Sequence, residues 1–199
     1  MNAGRHRSFD IEAALDNAME VFWTNGYPGT SLSDLTSAMG INKSSMYTAF
    51  GNKEALFKSA LDRYVEKYGL HHSEQLYIEN RSLRNRIENY LTSIAKMVTD
   101  EDLPGGCLIC ISTSEAAGTC LPSTALHAVK EVNAITKSSL INFFETEKAA
   151  GNITSKNPPA MLANYLMTLQ YGLAVMARNG ANFKELVSII DFSITKILE

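Results

Sequence analysis

The sequence predicts an all-α fold of about nine helices: an N-terminal three-helix domain containing a helix-turn-helix, followed by a larger helical domain. Three observations carry this. Apolar residues recur at i, i+3, i+4 and i+7 almost throughout, and no segment offers a good strand alternation. All five prolines fall near apparent breaks between periodic segments. Glycine or proline also marks most junctions between those segments.

The first helix starts near Asp10 and lines up Ile11, Ala14, Leu15, Ala18 and Phe22; Asn25–Gly26 ends it, glycine accepting the left-handed conformation of a C-cap. Ser31 caps the second, with Asp34 three residues on as a capping box, and Leu32, Leu35 and Met39 face inward. Gly40 breaks that helix. Asn42 caps a short third one, in which Met46, Ala49 and Phe50 point one way while Ile41 plugs the turn. Asn52 caps a fourth, whose apolar face from Leu56 to Tyr68 has the cleanest periodicity in the chain. The polar run 69–81 then marks a boundary. The expected division is 1–52 for the helix-turn-helix domain, 53–68 for a connecting helix and 69–199 for the second domain. In that domain a helix carries Leu83, Ile87, Tyr90, Leu91, Ile94 and Met97, and "CLICISTSEAAG" forms a short buried one. Pro122 opens a long helix, Pro158–Pro159 opens one that is apolar on most sides, and a last one runs from Phe183.

Composition narrows the function. No run reaches the ~18 apolar residues of a membrane span, and the N-terminus has no apolar segment behind its charges, so a cytoplasmic protein with no membrane partner is expected. Three cysteines, an odd number, argue against a disulfide framework. There is no Ser/His/Asp ordering, carboxylate pair, phosphate-binding glycine loop or HExxH motif, so neither an enzyme nor a cofactor is expected. The cysteines and His71, His72 and His127 lack zinc spacing, so no metal is expected. The net charge is −3, and residues 1–67 hold seven Lys/Arg against eight Asp/Glu; nucleic-acid binding therefore has to rest on local placement. A purely architectural DNA protein would be more basic and would not need the ~130 residues that follow.

Local placement is favourable after Gly40. With Met46 and Phe50 turned inward, Lys43, Ser44, Ser45, Tyr47 and Thr48 share the opposite side of a one- to two-turn helix, short hydrogen-bonding groups and a cation suited to a major groove. Lys53 lies in the first turn of the next helix, where a cation opposes the helix dipole unless a phosphate joins it. Arg5 and Arg7 sit on an N-terminal arm within reach of an adjacent groove.

The stretch from Phe9 to Tyr64 resembles the DNA-binding domain of the TetR/AcrR family of transcriptional regulators. The resemblance lies in Phe22 to Ser31, Leu32 to Leu35, "MGI" before the short helix, Met46 to Phe50 and Lys53 to Phe57. Thr36 departs from it, standing where the family usually has alanine; its hydroxyl can bond back to the carbonyl four residues earlier. The resemblance implies a homodimer that reads a palindromic operator in double-stranded DNA and acts as a repressor released by a small-molecule effector. Carried over by position, Thr30 and Ser31 contact phosphate together with Tyr47 and Lys53, and Asn42 caps its helix and touches the backbone.

Two further constellations lie in the second domain. The last two helices hold more apolar surface than one core needs, and Met161, Tyr165, Leu169, Leu173, Met176, Phe183, Val187, Ile190 and Ile194 are the expected dimer face. An effector cavity is expected to draw on Tyr90, Ile94, Met97, Phe143, Phe144 and Tyr165, with Cys110, Thr113, Glu115 and Gln170 as polar contacts. Cys107-Leu-Ile-Cys110 has the spacing of a redox pair at a helix start, where the dipole lowers a thiol pKa. Tight packing of small residues and a thiol switch that senses oxidants or electrophiles are both open from sequence. A helical enzyme using this pair is the remaining alternative.

Overall fold

The computed structural model describes residues 9–154 and 156–198. Among the described residues every regular element is helical: α1 (Ile11–Asn25), α2 (Leu32–Ala38), α3 (Lys43–Phe50), α4 (Lys53–Tyr64), α5 (Leu70–Glu74), α6 (Leu83–Val98), α7 (Leu108–Ala116), α8 (Ser123–Ala149), α9 (Pro159–Arg178) and α10 (Phe183–Leu198). A π-helical turn, Val65–Gly69, joins α4 to α5, and a 3-10 turn, Gln75–Tyr77, ends that rod. Counting the rod once gives the nine expected. The run 69–81, expected to be a polar boundary, is thus helical through Tyr77. Its stripe of His72 and Leu76 is buried, and the 3-10 turn packs on α6.

The N-terminal helices start where side chains satisfy free backbone N–H groups. Asp10 Oδ1 accepts from Glu12 N–H at 2.9 Å. Ser31 and Asp34 form a reciprocal box, at 3.1 and 2.8 Å. Asn42 and Asn52 Oδ1 accept from Ser45 and Ala55 N–H, each at 2.8 Å. Each cap is worth about 1 kcal/mol. Gly40, at φ 65°, takes the left-handed conformation that lets α3 leave α2 at an angle. Thr36 Oγ1 donates to Leu32 O at 2.9 Å, so threonine is accommodated without opening the α1–α2 contact.

Helices α1 to α4 enclose Phe22, Tyr27 and Phe57, whose rings meet at 5.0 to 6.1 Å. That cluster continues without a break into the second domain. The link is Trp23, edge-on to Tyr64 at 4.9 Å, its indole N–H donating to Gly105 O at 3.1 Å. Beyond it α8 packs on α9 and α4, and α10 on α6 and α9. Contrary to expectation, α9 is long and apolar enough to match a membrane span, with a mean hydropathy of 1.2 over its best window. The reason is that it is apolar on two sides. Leu162, Leu166 and Leu173 fill the core while Met161, Tyr165, Val175 and Met176 stay exposed.

A buried ion pair holds the far end of the second domain. Arg86 donates to both carboxylate oxygens of Glu147, at 2.9 and 2.6 Å, and to Leu76 O at 3.0 Å; Asn152 Nδ2 adds a bond to Glu147 at 2.8 Å. It therefore ties α6 and α8 to the turn that ends the α4–α5 rod. Glu147→Leu, which strands the guanidinium, should lower unfolding free energy by about 3–5 kcal/mol. Arg86→Met combined with Glu147→Leu should regain most of that loss. Urea unfolding of the two variants checks both.

Candidate functional site

The residues after Gly40 form an outward polar surface on a well-anchored helix. Met46 is fully buried, and Ala49 and Phe50 are partly covered. On the other side Asn42, Lys43, Ser44, Tyr47 and Thr48 are exposed and Ser45 is half-buried. Tyr47 stands 47% exposed, unusual for a large aromatic ring in a domain this small. No carboxylate lies in the first turn of α3. Thr48 Oγ1 donates to Ser44 O at 2.8 Å, which fixes that hydroxyl along the helix. The face thus offers a cation, hydroxyls and a phenol with no acid among them. Part of the N-terminal acidity is engaged elsewhere, Asp16 being bonded by Arg63 at 2.8 Å and by Lys67 at 3.3 Å.

The α1–α2 turn corrects one expected phosphate contact and changes another. Thr30 is buried, 3% exposed, and its hydroxyl donates inward to Gly26 O at 2.6 Å, so its side chain does not reach a duplex. Ser31 is exposed and caps α2. Lys53 is not a free cation at a helix start. Its Nζ donates to Tyr27 O at 2.7 Å and lies over the Tyr27 ring at 4.1 Å, bracing α4 against the turn. This resolves the unfavourable meeting of lysine and helix dipole, since the side chain leaves the axis for a carbonyl and a ring face. Burial lowers its pKa. Arg5 and Arg7 lie outside the described residues.

The second domain encloses a cavity of ≈ 260 Å³ between the α4–α5 rod and helices α6, α7, α8 and α9. Of the expected lining, Tyr90, Ile94, Met97 and Gln170 are there. Phe143 and Phe144 are core, 2% and 0% exposed, and Tyr165 faces outward. Thr113 stands one bond behind the wall, accepting from Asn133 Nδ2 at 2.9 Å. Cys110 and Glu115 lie on another side of α7, in a shallow groove with Arg178. Glu115 instead faces the first domain, its carboxylate accepting from Tyr27 N–H at 3.1 Å, and burial raises its pKa. Its Oε1 would be 1.9 Å from a Cβ at Gly26, a residue held at φ 71°; only glycine fits there.

Tyr171, an aromatic of the same helical pattern, also lines it, and His72, Cys107 and Asn133 join it without having been expected there from the sequence. Tyr171 donates to Asn133 Oδ1 at 2.9 Å, continuing the chain to Thr113. Gln170 bonds the Tyr90 hydroxyl. His72 Nδ1 lies 2.9 Å from Ser93 Oγ, whose own proton goes to Tyr90 O at 2.7 Å. The other ring nitrogen, Nε2, lies 3.3 Å from the Met97 sulfur, so both nitrogens have a partner and the neutral ring carries its hydrogen on one of them. Burial, and His71 next to it, push the His72 pKa down to about 4.

The thiols differ from the activated pair the spacing suggests. Burial raises the Cys107 pKa and pushes Cys110 up to about 11, outweighing any helix-dipole effect. Few thiolates form at neutral pH, which favours packing over thiol sensing. On the expected dimer face, Met161, Tyr165, Met176 and Phe183 are exposed, and Leu169 and Val187 half-buried. Leu173, Ile190 and Ile194 are each 1% exposed and belong to the protomer core. Phe192, 73% exposed, and Val175, 48%, extend the outer face instead.

Residues 14–60 match the family profile of "Bacterial regulatory proteins, tetR family". The HTH-type transcriptional repressor ComR of Escherichia coli K12 is 34% identical over 189 residues, 94% of this chain and 88% of ComR. An uncharacterised HTH-type transcriptional regulator of Bacillus subtilis 168, YezE, is 28% identical over 96% of this chain and 98% of its own. Among solved structures, a cysteine mutant of the TetR family transcriptional regulator CifR, complexed with 26-bp double-strand operator DNA, superposes with a TM-score of 0.81 at 30% identity, covering 96% of this chain and 98% of that one.

The His72 environment sets a pH dependence. The unfolded chain protonates this ring near pH 6.5, the folded one only near pH 4, so stability falls as pH drops through that window. The loss is about 3 kcal/mol at about 1.4 kcal/mol per pKa unit. Between pH 6.5 and 4, His72→Asn should lose about that much less than the parent, measured by urea unfolding at each pH.

Proposed function

The chain belongs to the tetR family of bacterial regulatory proteins, DNA-binding transcriptional regulators rather than enzymes, and from that premise we propose that it is a homodimeric repressor that holds a palindromic operator and releases it when a small molecule fills the second-domain cavity. Residues 1–52 form the reading head, 53–68 connect it to the sensor, and 69–199 sense and dimerise. The protein works on cytoplasmic DNA.

The observation that carries the reading is the division of α3. Its apolar side is anchored by fully buried Met46 while Lys43, Ser44, Tyr47 and Thr48 stand exposed opposite. In a major groove Lys43, Ser44, Ser45 and Thr48 meet base edges. Tyr47, Ser31 and the remaining donors of Lys53 meet phosphates, with Asn42 at the backbone and Arg5 and Arg7 on the arm. Identical half-sites need a two-fold axis. The outer face of α9 and α10, from Met161 and Tyr165 to Phe183 and Phe192, supplies an apolar surface for it.

Release follows from shared elements. Tyr64 and Val65 line the cavity from the rod whose first residue, Lys53, braces the reading head. A ligand that fits the cavity better in one arrangement of this rod shifts the separation of the two α3 helices, and so the affinity for the operator, by the difference in its binding to the two states. Thiol sensing by Cys107 and Cys110 has no comparable support, because burial raises both pKa values.

Selection of genomic fragments by the purified protein tests the function: recovery of a palindromic consensus is expected, and no enrichment over random competitor at physiological salt overturns it. On the selected operator, Lys43→Ala should weaken binding about tenfold, reduce the salt slope by about one and alter base preference. Tyr47→Ala should weaken binding across sequences alike. Phe192→Glu should shift sedimentation toward the monomer and abolish tight operator binding.

A further inference from the structure

The cavity combines an apolar mouth, a wall without ions and a few oriented polar atoms. Leu70, Tyr77 and Ile135 all line it and are 54, 55 and 63% exposed, so they form its rim. Large exposed apolar side chains gathered at one opening mark a binding surface more than scattered ones do. Among the described residues no Asp, Glu, Lys or Arg contributes to the wall. The one group able to ionise near neutrality is His72, and burial, with His71 beside it, keeps it neutral. The volume, ≈ 260 Å³, exceeds the about 150 Å³ that admits a benzene ring, which places the occupant at roughly one to two rings.

An ion entering this space would lose its hydration with no opposite charge to replace it, a penalty that dominates any gain from apolar contact. The polar groups that line it are few and neutral. Both His72 ring nitrogens have close neighbours, Ser93 Oγ and the Met97 sulfur, and Tyr171 already donates its proton to Asn133, which leaves its oxygen to accept. A ligand hydroxyl, which can donate or accept, suits such neutral groups, whereas a carboxylate or an ammonium would meet no opposite charge.

We propose that the effector is an uncharged, predominantly apolar molecule of about one or two rings bearing a single hydroxyl, bound with that hydroxyl toward Tyr171 and the other neutral polar side chains of the wall. The assignment rests on the cavity being the effector site, but its test does not need DNA.

Three probes share one skeleton: 2-naphthylmethanol, 2-naphthoate and 2-naphthylmethylammonium. Titrated calorimetrically into the full-length protein at pH 7.5, the alcohol should bind saturably at one per chain, and each ion at least about 100-fold more weakly. Ser139→Trp, at an exposed lining position, should block the alcohol without lowering Tm, and Ile109→Trp should block it from α7. Equal affinity for either ion, no saturable binding of the alcohol, or undiminished binding in both tryptophan variants would overturn the proposal. Operator release by the alcohol is measured separately. Binding without release would contradict the effector role of the cavity and leave its ligand class standing.

Discussion

The C-terminal end of α1 is the point on which the arrangement of the two domains depends. A helix ends with four carbonyls lacking intrahelical partners. Here the second domain supplies partners: Arg178, at the end of α9, donates to Thr24 O at 2.8 Å and to Trp23 O at 3.2 Å. The Trp23 indole returns a bond to Gly105 O at 3.1 Å, and the Glu115 carboxylate takes the Tyr27 N–H two residues past the helix. Three separate segments of the second domain thus converge on Trp23, Thr24 and Tyr27 of the first. Because the carbonyls and the indole are directional, they fix an angle that apolar packing alone would leave soft.

That junction gives α7 a double role. Near its start, Cys107 and Ile109 are part of the cavity wall; near its end, Glu115 presses on Gly26. The α4–α5 rod makes a second connection, from the Lys53 brace at one end to His72 and Leu76 at the other. An occupant of the cavity therefore touches two elements that each reach the reading head by a different route. A displacement of either has to be absorbed by the hydrogen bonds at the end of α1, since the surrounding core is close-packed.

The helix-turn-helix was legible because its signals are local. Gly40 needs its positive φ, Asn42 and Asn52 need only their own next turn, and Met46 and Phe50 declare an inward side within one turn of helix. What the sequence misplaced depends on partners remote in the chain. Thr30 looks like a polar turn residue until the Gly26 carbonyl is seen to claim it. Leu173, Ile190 and Ile194 lie on apolar helices, and periodicity identifies an apolar side without saying whether a neighbour in the same protomer covers it. In the cavity, large aromatics at helical spacing drew attention to Phe143 and Phe144, which fill the core. The wall takes Tyr90 and Tyr171 from the same aromatic pattern and adds Asn133, a modest residue brought to it from α8. Glu115, expected as a polar contact of the cavity, is a half-buried carboxylate that accepts instead from the Tyr27 backbone of the first domain.

The π-helical turn at Val65–Gly69 carries one more residue per turn than the helix on either side of it. It lies where the connecting rod passes from the reading head into the cavity wall. Everything downstream is thereby rotated by about 100° relative to an uninterrupted α-helix. The angular setting of His72 and Leu76 is consequently decoupled from that of Leu56 and Phe57. Lineages could insert or delete a residue at this one place and re-aim the sensor's chemistry while inheriting the DNA-reading surface unaltered.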